Sequence, residues 1–204
     1  MSVLILDPAT ADGFLTARAG EPHSQYDECW EGRAVVPPAP NTEHFRLQMR
    51  LAEACSAVID WDAGDQAVPG GNVTDRDDDW RTNYRVPDVI VALAGGRAID
   101  RGPYFLGGPD FVAEVVSPGE DPRAKFDFYA AVGCREVLVV HRDPWGVELY
   151  RLAADRLALA GRSDLPDSAP VASAVLPLVF RLVPGAGRPW VEVTHPATGR
   201  VIRA

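Results

Sequence analysis

The stretch DFVAEVVSPGEDPRAKFDFYAAVGCREVLVVHR, residues 110–142, decides the fold. Its two ends, residues 110–117 and 135–142, are dense in valine and leucine on both alternations, so each reads as a strand covered on both faces. Between them Asp121 supplies a helix N-cap, Pro122 suits the first helical position and Gly133 ends the helix. A strand, a helix and a strand in about 30 residues make a parallel crossover, which is right-handed. The same stretch holds the chain's single lysine, Lys125, against nineteen arginines elsewhere.

Working outward, RVPDVIVAL (85–93) is a third strand apolar on both sides. YDECWEGRAVV (26–36) reads as a hairpin turning at Glu31-Gly32, and PPAP (37–40) then forbids regular structure. Asn41 or Thr42 can cap a helix over 43–59, whose apolar positions Phe45, Leu47, Leu51, Ala54 and Val58 fall near a 3.6 spacing. Residues 60–84, rich in Gly and Asp, read as a loop with at most one short strand, around Gln66–Val68 or Asn72–Thr74. VELYRLAADRLALA (147–160) adds a hairpin, and the proline-punctuated remainder supplies short strands such as PWVEVTHP and GRVIRA. Residues 1–25 look like a polar, irregular arm. The expected organisation is that arm followed by one domain over 26–204, with a core at 43–152 and a C-terminal β extension at 153–204. The fold class is α/β or α+β, with a mixed sheet flanked by helices.

The chain has 204 residues, is 47% hydrophobic and carries a formal net charge of −9. That charge argues against coating nucleic acid by bulk electrostatics, which needs a basic surface to displace phosphate counterions. It leaves room for a metal-dependent nuclease, in which carboxylates gathered around a dication add to the negative count. No run of about 18 apolar residues occurs, and the N-terminus lacks a basic lead-in, so a cytoplasmic protein without a membrane partner is expected. Cys29, Cys55 and Cys134, odd in number and widely spaced, read as buried reduced thiols.

Asp88 and Glu114 each sit among strand valines, where an ionised carboxylate is costly unless paired or bound to a cation. A magnesium ion is one shared remedy, since it takes one or two carboxylates, keeps waters and completes its shell with phosphate oxygens. The alternatives are an Asp88 paired with Arg85, a Glu114 paired with an arginine such as Arg123, and a Lys125 that is an ordinary exposed lysine. In a chain that otherwise writes arginine, a lone lysine suggests work suited to a compact ammonium. Helical spacing puts Lys125, Phe128, Tyr129 and Val132 on one stripe, from which Lys125 can reach Glu114. Asp110 shares a strand face with Glu114, but four residues at roughly 3.3 Å each is too far for one ion, so it reads mainly as a turn or cap residue.

These segments, RVPDVIVAL, GGPDFVAEVVSP and DPRAKFDFYAAVGCREVLVVHRDPWGVELYRL, together with YDECWEGRAVVPPAPNTEHF, resemble the Uma-type putative restriction endonuclease family of the PD-(D/E)XK nuclease superfamily. The likeness covers roughly residues 26–152. It implies a restriction-endonuclease-like four-stranded mixed sheet and a metal-assisted phosphodiesterase site. Asp88 would be the first acid, Glu114 the second, and the Val115 carbonyl a further metal ligand. The superfamily's lysine slot, two residues after the second acid, is Val116 here, which makes Lys125 the natural substitute. Glu31 and His44 match family positions and join Asp110 as supporting candidates. Arg85 and Arg123, with Arg81, Arg97 and Arg101 nearby in sequence, would grip phosphates. The implied activity is a DNA endonuclease dependent on Mg²⁺ or Mn²⁺, expected as a homodimer if it cuts both strands. The same site chemistry would also serve another phosphodiester. The competing expectation is a catalytically degenerate module of the same fold, acting in nucleic-acid or protein binding and assembly.

Overall fold

The computed structural model describes residues 3–5, 7–21, 23–117 and 119–204. Its elements in chain order begin with β1 (Val3–Ile5), α1 (Pro8–Arg18), β2 (Glu28–Trp30), β3 (Arg33–Val36) and α2 (Thr42–Ser56). β4 (Gln66–Pro69), β5 (Asn72–Thr74), β6 (Tyr84–Arg85), β7 (Val89–Ala92), β8 (Ile99–Asp100) and β9 (Tyr104–Leu106) follow. Then come β10 (Phe111–Val115), α3 (Phe126–Val132), β11 (Glu136–Arg142), β12 (Trp145–Ala153) and β13 (Arg156–Ser163). β14 (Val171–Ala172), β15 (Val179–Val183), β16 (Trp190–His195) and β17 (Arg200–Arg203) close the chain.

The central sheet runs β13-β12-β11-β10-β7-β4. β10 and β11 are parallel, joined by α3, and β7 lies antiparallel on the other side of β10. Every residue of β7 and β10 is buried, as strands without polar alternation require. Odd-numbered side chains such as Val89, Val91, Phe111 and Val115 pack with Leu47 and Leu51 of α2 and with Phe180, Leu182 and Val191 of the C-terminal sheet β14-β15-β16-β17. Even-numbered ones such as Ile90 and Val112 face the other way, onto Phe128, Tyr129 and Val132 of α3. The third sheet, β1-β3-β2-β6-β5-β9-β8, is built of strands of two to four residues and brings the N-terminal hairpin beside the central sheet.

The fold is thus the mixed α+β class expected, with differences of detail. Of the N-terminal arm, residues 1, 2, 6 and 22 lie outside the described residues, and the rest is ordered rather than irregular. Asp7 caps α1 by accepting from Thr10 N–H, Pro8 opens the helix, and Arg18 Nε donates to Asp27 at 2.7 Å. Segment 60–84 holds both candidate strands, because β4 pairs with β7 and β5 pairs with β6 and β9. α2 ends at Ser56, before the expected Ile59. The crossover helix starts with a 3-10 turn, Pro122–Lys125, before becoming α-helical. The central sheet has six strands rather than the four implied, with β4 and both strands of the 145–163 hairpin joining β7, β10 and β11. All three cysteines are buried and free, and burial pushes the Cys55 thiol up to about 12. Among the described residues no helix is long and apolar enough to cross a membrane.

Candidate active site

Register places the acids. β7 and β10 pair Val112 with Ile90 and Ala113 with Val89, so one further step brings Asp88, just before β7, level with Glu114; Glu114 faces α3, whereas the Asp88 carboxylate meets His44 of α2. Asp88 Oδ2 accepts from Val115 N–H at 2.6 Å, and His44 Nε2 lies 2.6 Å from Oδ1. With Asp88 ionised, that contact needs the proton on His44 Nε2, and His44 Nδ1 is then a buried atom without a hydrogen-bond partner. Gln48 Nε2 and Gly70 N–H both donate to the Asp88 carbonyl, fixing the backbone as well.

Glu114, 7% exposed, points at α3. Its carboxylate accepts from Tyr129 Oη at 2.5 Å and from Lys125 Nζ at 3.1 and 3.2 Å. Lys125 Nζ also lies 2.8 Å from Glu28 Oε1, on β2. Two buried carboxylates, Glu28 and Glu114, therefore share one ammonium, and Asp88, held by His44 and Val115 N–H, lines the same cavity. Burial pushes the Glu114 carboxyl up to about 7; Lys125 opposes this, while Asp88 and Glu28 add to it. Burial works against the Lys125 charge, but Glu114 and Glu28 outweigh it and hold the ammonium above its ordinary range.

The cluster lies in a cavity of about 640 Å³ roofed by Trp30 and by Pro37, Pro38 and Pro40, with Pro122 on the crossover side. Its lining carries six acids (Glu28, Glu31, Asp88, Glu114, Glu120 and Asp121) against three permanent cations, Arg33, Arg85 and Lys125, and one histidine, His44. A cavity so charged repels a phosphate unless a cation joins it. Among the described residues no group of three or more His, Cys, Asp and Glu side chains is arranged to hold a metal ion. An ion such as Mg²⁺ takes one or two carboxylates and fills its remaining positions with water and substrate. The donors present, carboxylate and carbonyl oxygens of Asp88, Glu114 and Val115, are the hard type such an ion takes.

A model of the family described as Uma2, putative restriction endonuclease, matches residues 14–182, most of the chain. The chain belongs to this family. It is also similar in fold to a crystal structure of a putative nuclease of the DUF820 group from Anabaena variabilis, with a TM-score of 0.58 and 19% identity over 78% of this chain and 88% of that one. The comparison with curated proteins gives no match.

Within this Uma2 chain the remaining expected site residues divide. Glu31, at the hairpin turn with a positive φ of 48°, lines the cavity mouth and accepts from Asn83 Nδ2 at 2.7 Å and from Arg76. Arg85 lines the cavity too, but it is buried rather than offered to solvent. Its guanidinium lies between the rings of Trp30 (4.5 Å) and Phe128 (4.3 Å), and Nη1 donates to Cys29 O, Tyr84 O and Asn83. Burial lowers its pKa, against the pull of Glu28. Arg123 turns away from the cavity, donating to Tyr150 Oη and Glu148 on β12. Asp110 sits at the far end of β10, where it accepts from Leu93 N–H and Arg135. Arg81 lies over Trp80, Arg97 lies against Gly133 and Arg101 pairs with Asp77, so the five arginines form no single phosphate-gripping face. Glu28 is the cluster member that sequence reasoning passed over. The available signal is an acid on a strand whose other members, Cys29 and Trp30, are apolar.

Proposed function

We propose that this chain is a nuclease that hydrolyses DNA phosphodiesters with Mg²⁺ or Mn²⁺, at the cavity holding Asp88, Glu114 and Lys125. One observation carries the reading: Asp88 and Glu114, buried side by side where β7 and β10 meet, line one acid-rich cavity in which Glu114 is paired with the chain's single lysine. Asp88, Glu114 and the Val115 carbonyl would hold the ion. When bound, it supplies the positive charge a phosphate needs there and polarises the phosphoryl oxygen.

The chain's own groups do the rest. His44 and the Val115 N–H hold the Asp88 carboxylate in place, and Tyr129 does the same for Glu114. Lys125 stays protonated between Glu28 and Glu114, so it serves as a donor that orients the attacking water and stabilises charge developing on the phosphate. It does not take the proton. Two copies of the chain would suit a double-strand cut.

Nicking of supercoiled DNA tests this. It should require added Mg²⁺ or Mn²⁺ and fall at least about 10²-fold in Asp88→Ala and Glu114→Gln proteins. Cleavage unaltered by both substitutions discards the reading.

A further inference from the structure

We propose that Glu28 is a positioning residue for Lys125: it fixes the ammonium beside Glu114 and, through the same carboxylate, anchors the turn that delivers Asp88. For its effect on catalysis this rests on the nuclease reading above; the contacts stand without it.

Lys125 sits on a 3-10 turn beside a loop, at the end of a stem with four rotatable bonds. Holding such a long, flexible side chain in one geometry costs rotamer freedom, so the head needs an external fix. The closest carboxylate to Nζ is that of Glu28 at 2.8 Å, against 3.1 and 3.2 Å for Glu114. Glu28 is itself immobilised. It is 3% exposed, Oε1 also accepts from Val86 N–H at 2.8 Å, and Oε2 accepts from Trp30 Nε1 at 2.7 Å. Val86 lies two residues before Asp88, so one carboxylate ties the hairpin, the approach to the first acid and the lysine head together. Both Glu28 oxygens are thus held by N–H donors while Oε1 meets the lysine head.

The single lysine makes the test clean, because ¹⁵N-lysine labelling yields one side-chain ammonium signal. In the wild-type protein that signal should be sharp and protected from water exchange at neutral pH. In Glu28→Gln, which keeps an acceptor for Val86 N–H, and in Glu28→Asp, which keeps the charge but shortens the arm, it should broaden or vanish; Mn²⁺ affinity should stay within about 3-fold of wild type in Glu28→Gln and fall further in Glu28→Asp, which no longer reaches Val86. In nicking assays Glu28→Gln should lower kcat about 10²-fold with little change in KM, and adding it to Lys125→Met should cost nothing more. An ammonium signal unchanged in both Glu28 variants, losses that add in the double variant, or a collapse of Mn²⁺ affinity in Glu28→Gln would overturn the proposal. A wild-type protein that cuts nothing but loses its ammonium signal on substitution would refute the nuclease reading and leave the positioning role standing.

Discussion

At the scale of single residues, Glu114 carries a measurable consequence of its surroundings. Its folded carboxyl keeps a proton up to about 7, against an ordinary value of 4.5, with burial as the leading cause. Between those values the folded protein binds more protons than the unfolded one, so this group makes the metal-free protein less stable as pH rises through that window. Lys125 is protonated in both states there and adds no slope. A divalent ion bound to the ionised carboxylate should reverse the loss, so thermal unfolding should show a larger stabilisation by Mn²⁺ at pH 8 than at pH 5.5. An equal shift at both pH values would detach Glu114 from the ion. The sequence makes Asp88, Glu114 and Lys125 legible because acids among valines are anomalous and because the helix-end signals fix where Lys125 points. Glu28 escapes that reading: a strand of three residues is too short to show alternation, and neighbouring Asp27 is an equal candidate until Arg18 is seen to claim it. Arg85 misleads for the same reason in reverse. Its charge is visible in the sequence, whereas the Trp30 and Phe128 rings that enclose it come from elements distant in the chain.

At the scale of elements, the crossover from β10 through α3 to β11 sets the site, because it aims Lys125 and Tyr129 at the strand that carries Glu114. Its ends are secured at two glycines. Gly133 closes α3 with a φ of +85°, a conformation that costs a substituted residue roughly 1–2 kcal/mol. A Cβ there would also meet the Arg97 side chain, which can swing aside. Gly108 is less forgiving. It donates to Val132 O at 2.8 Å, and a Cβ there would run into the backbone of Gly133 and Cys134. Gly108→Ala should therefore destabilise more than Gly133→Ala, by about 3 kcal/mol or more against roughly 1–2, as read from urea unfolding midpoints at constant m-value. The reverse order would mean that β10 and the end of α3 pack less closely than described. The crossover is readable from sequence because its capping residues are local. The pairing of β4 with β7 and of β5 with β9 is not, since those strands are short and their partners lie up to about thirty residues away.

At the scale of the whole molecule, a chain of net charge −9 presents an acid-rich cavity to a substrate that is itself a polyanion. Fold and charge are reconciled if the cavity is completed by a dication held by the Asp88 and Glu114 carboxylates, as proposed above. The C-terminal sheet contributes at a distance: Phe180 stacks on Phe111 at 5.9 Å, bracing β10 from the face opposite Glu114. Family membership and the fold likeness speak to the fold, and neither supplies the ion. The most direct test is a crystal soaked in Mn²⁺ and measured for anomalous scattering. The account predicts a peak about 2.0–2.2 Å from one oxygen each of Asp88 and Glu114, with Lys125 Nζ still beside Glu114; no peak at saturating Mn²⁺, or one bound only elsewhere on the acidic surface, would contradict it.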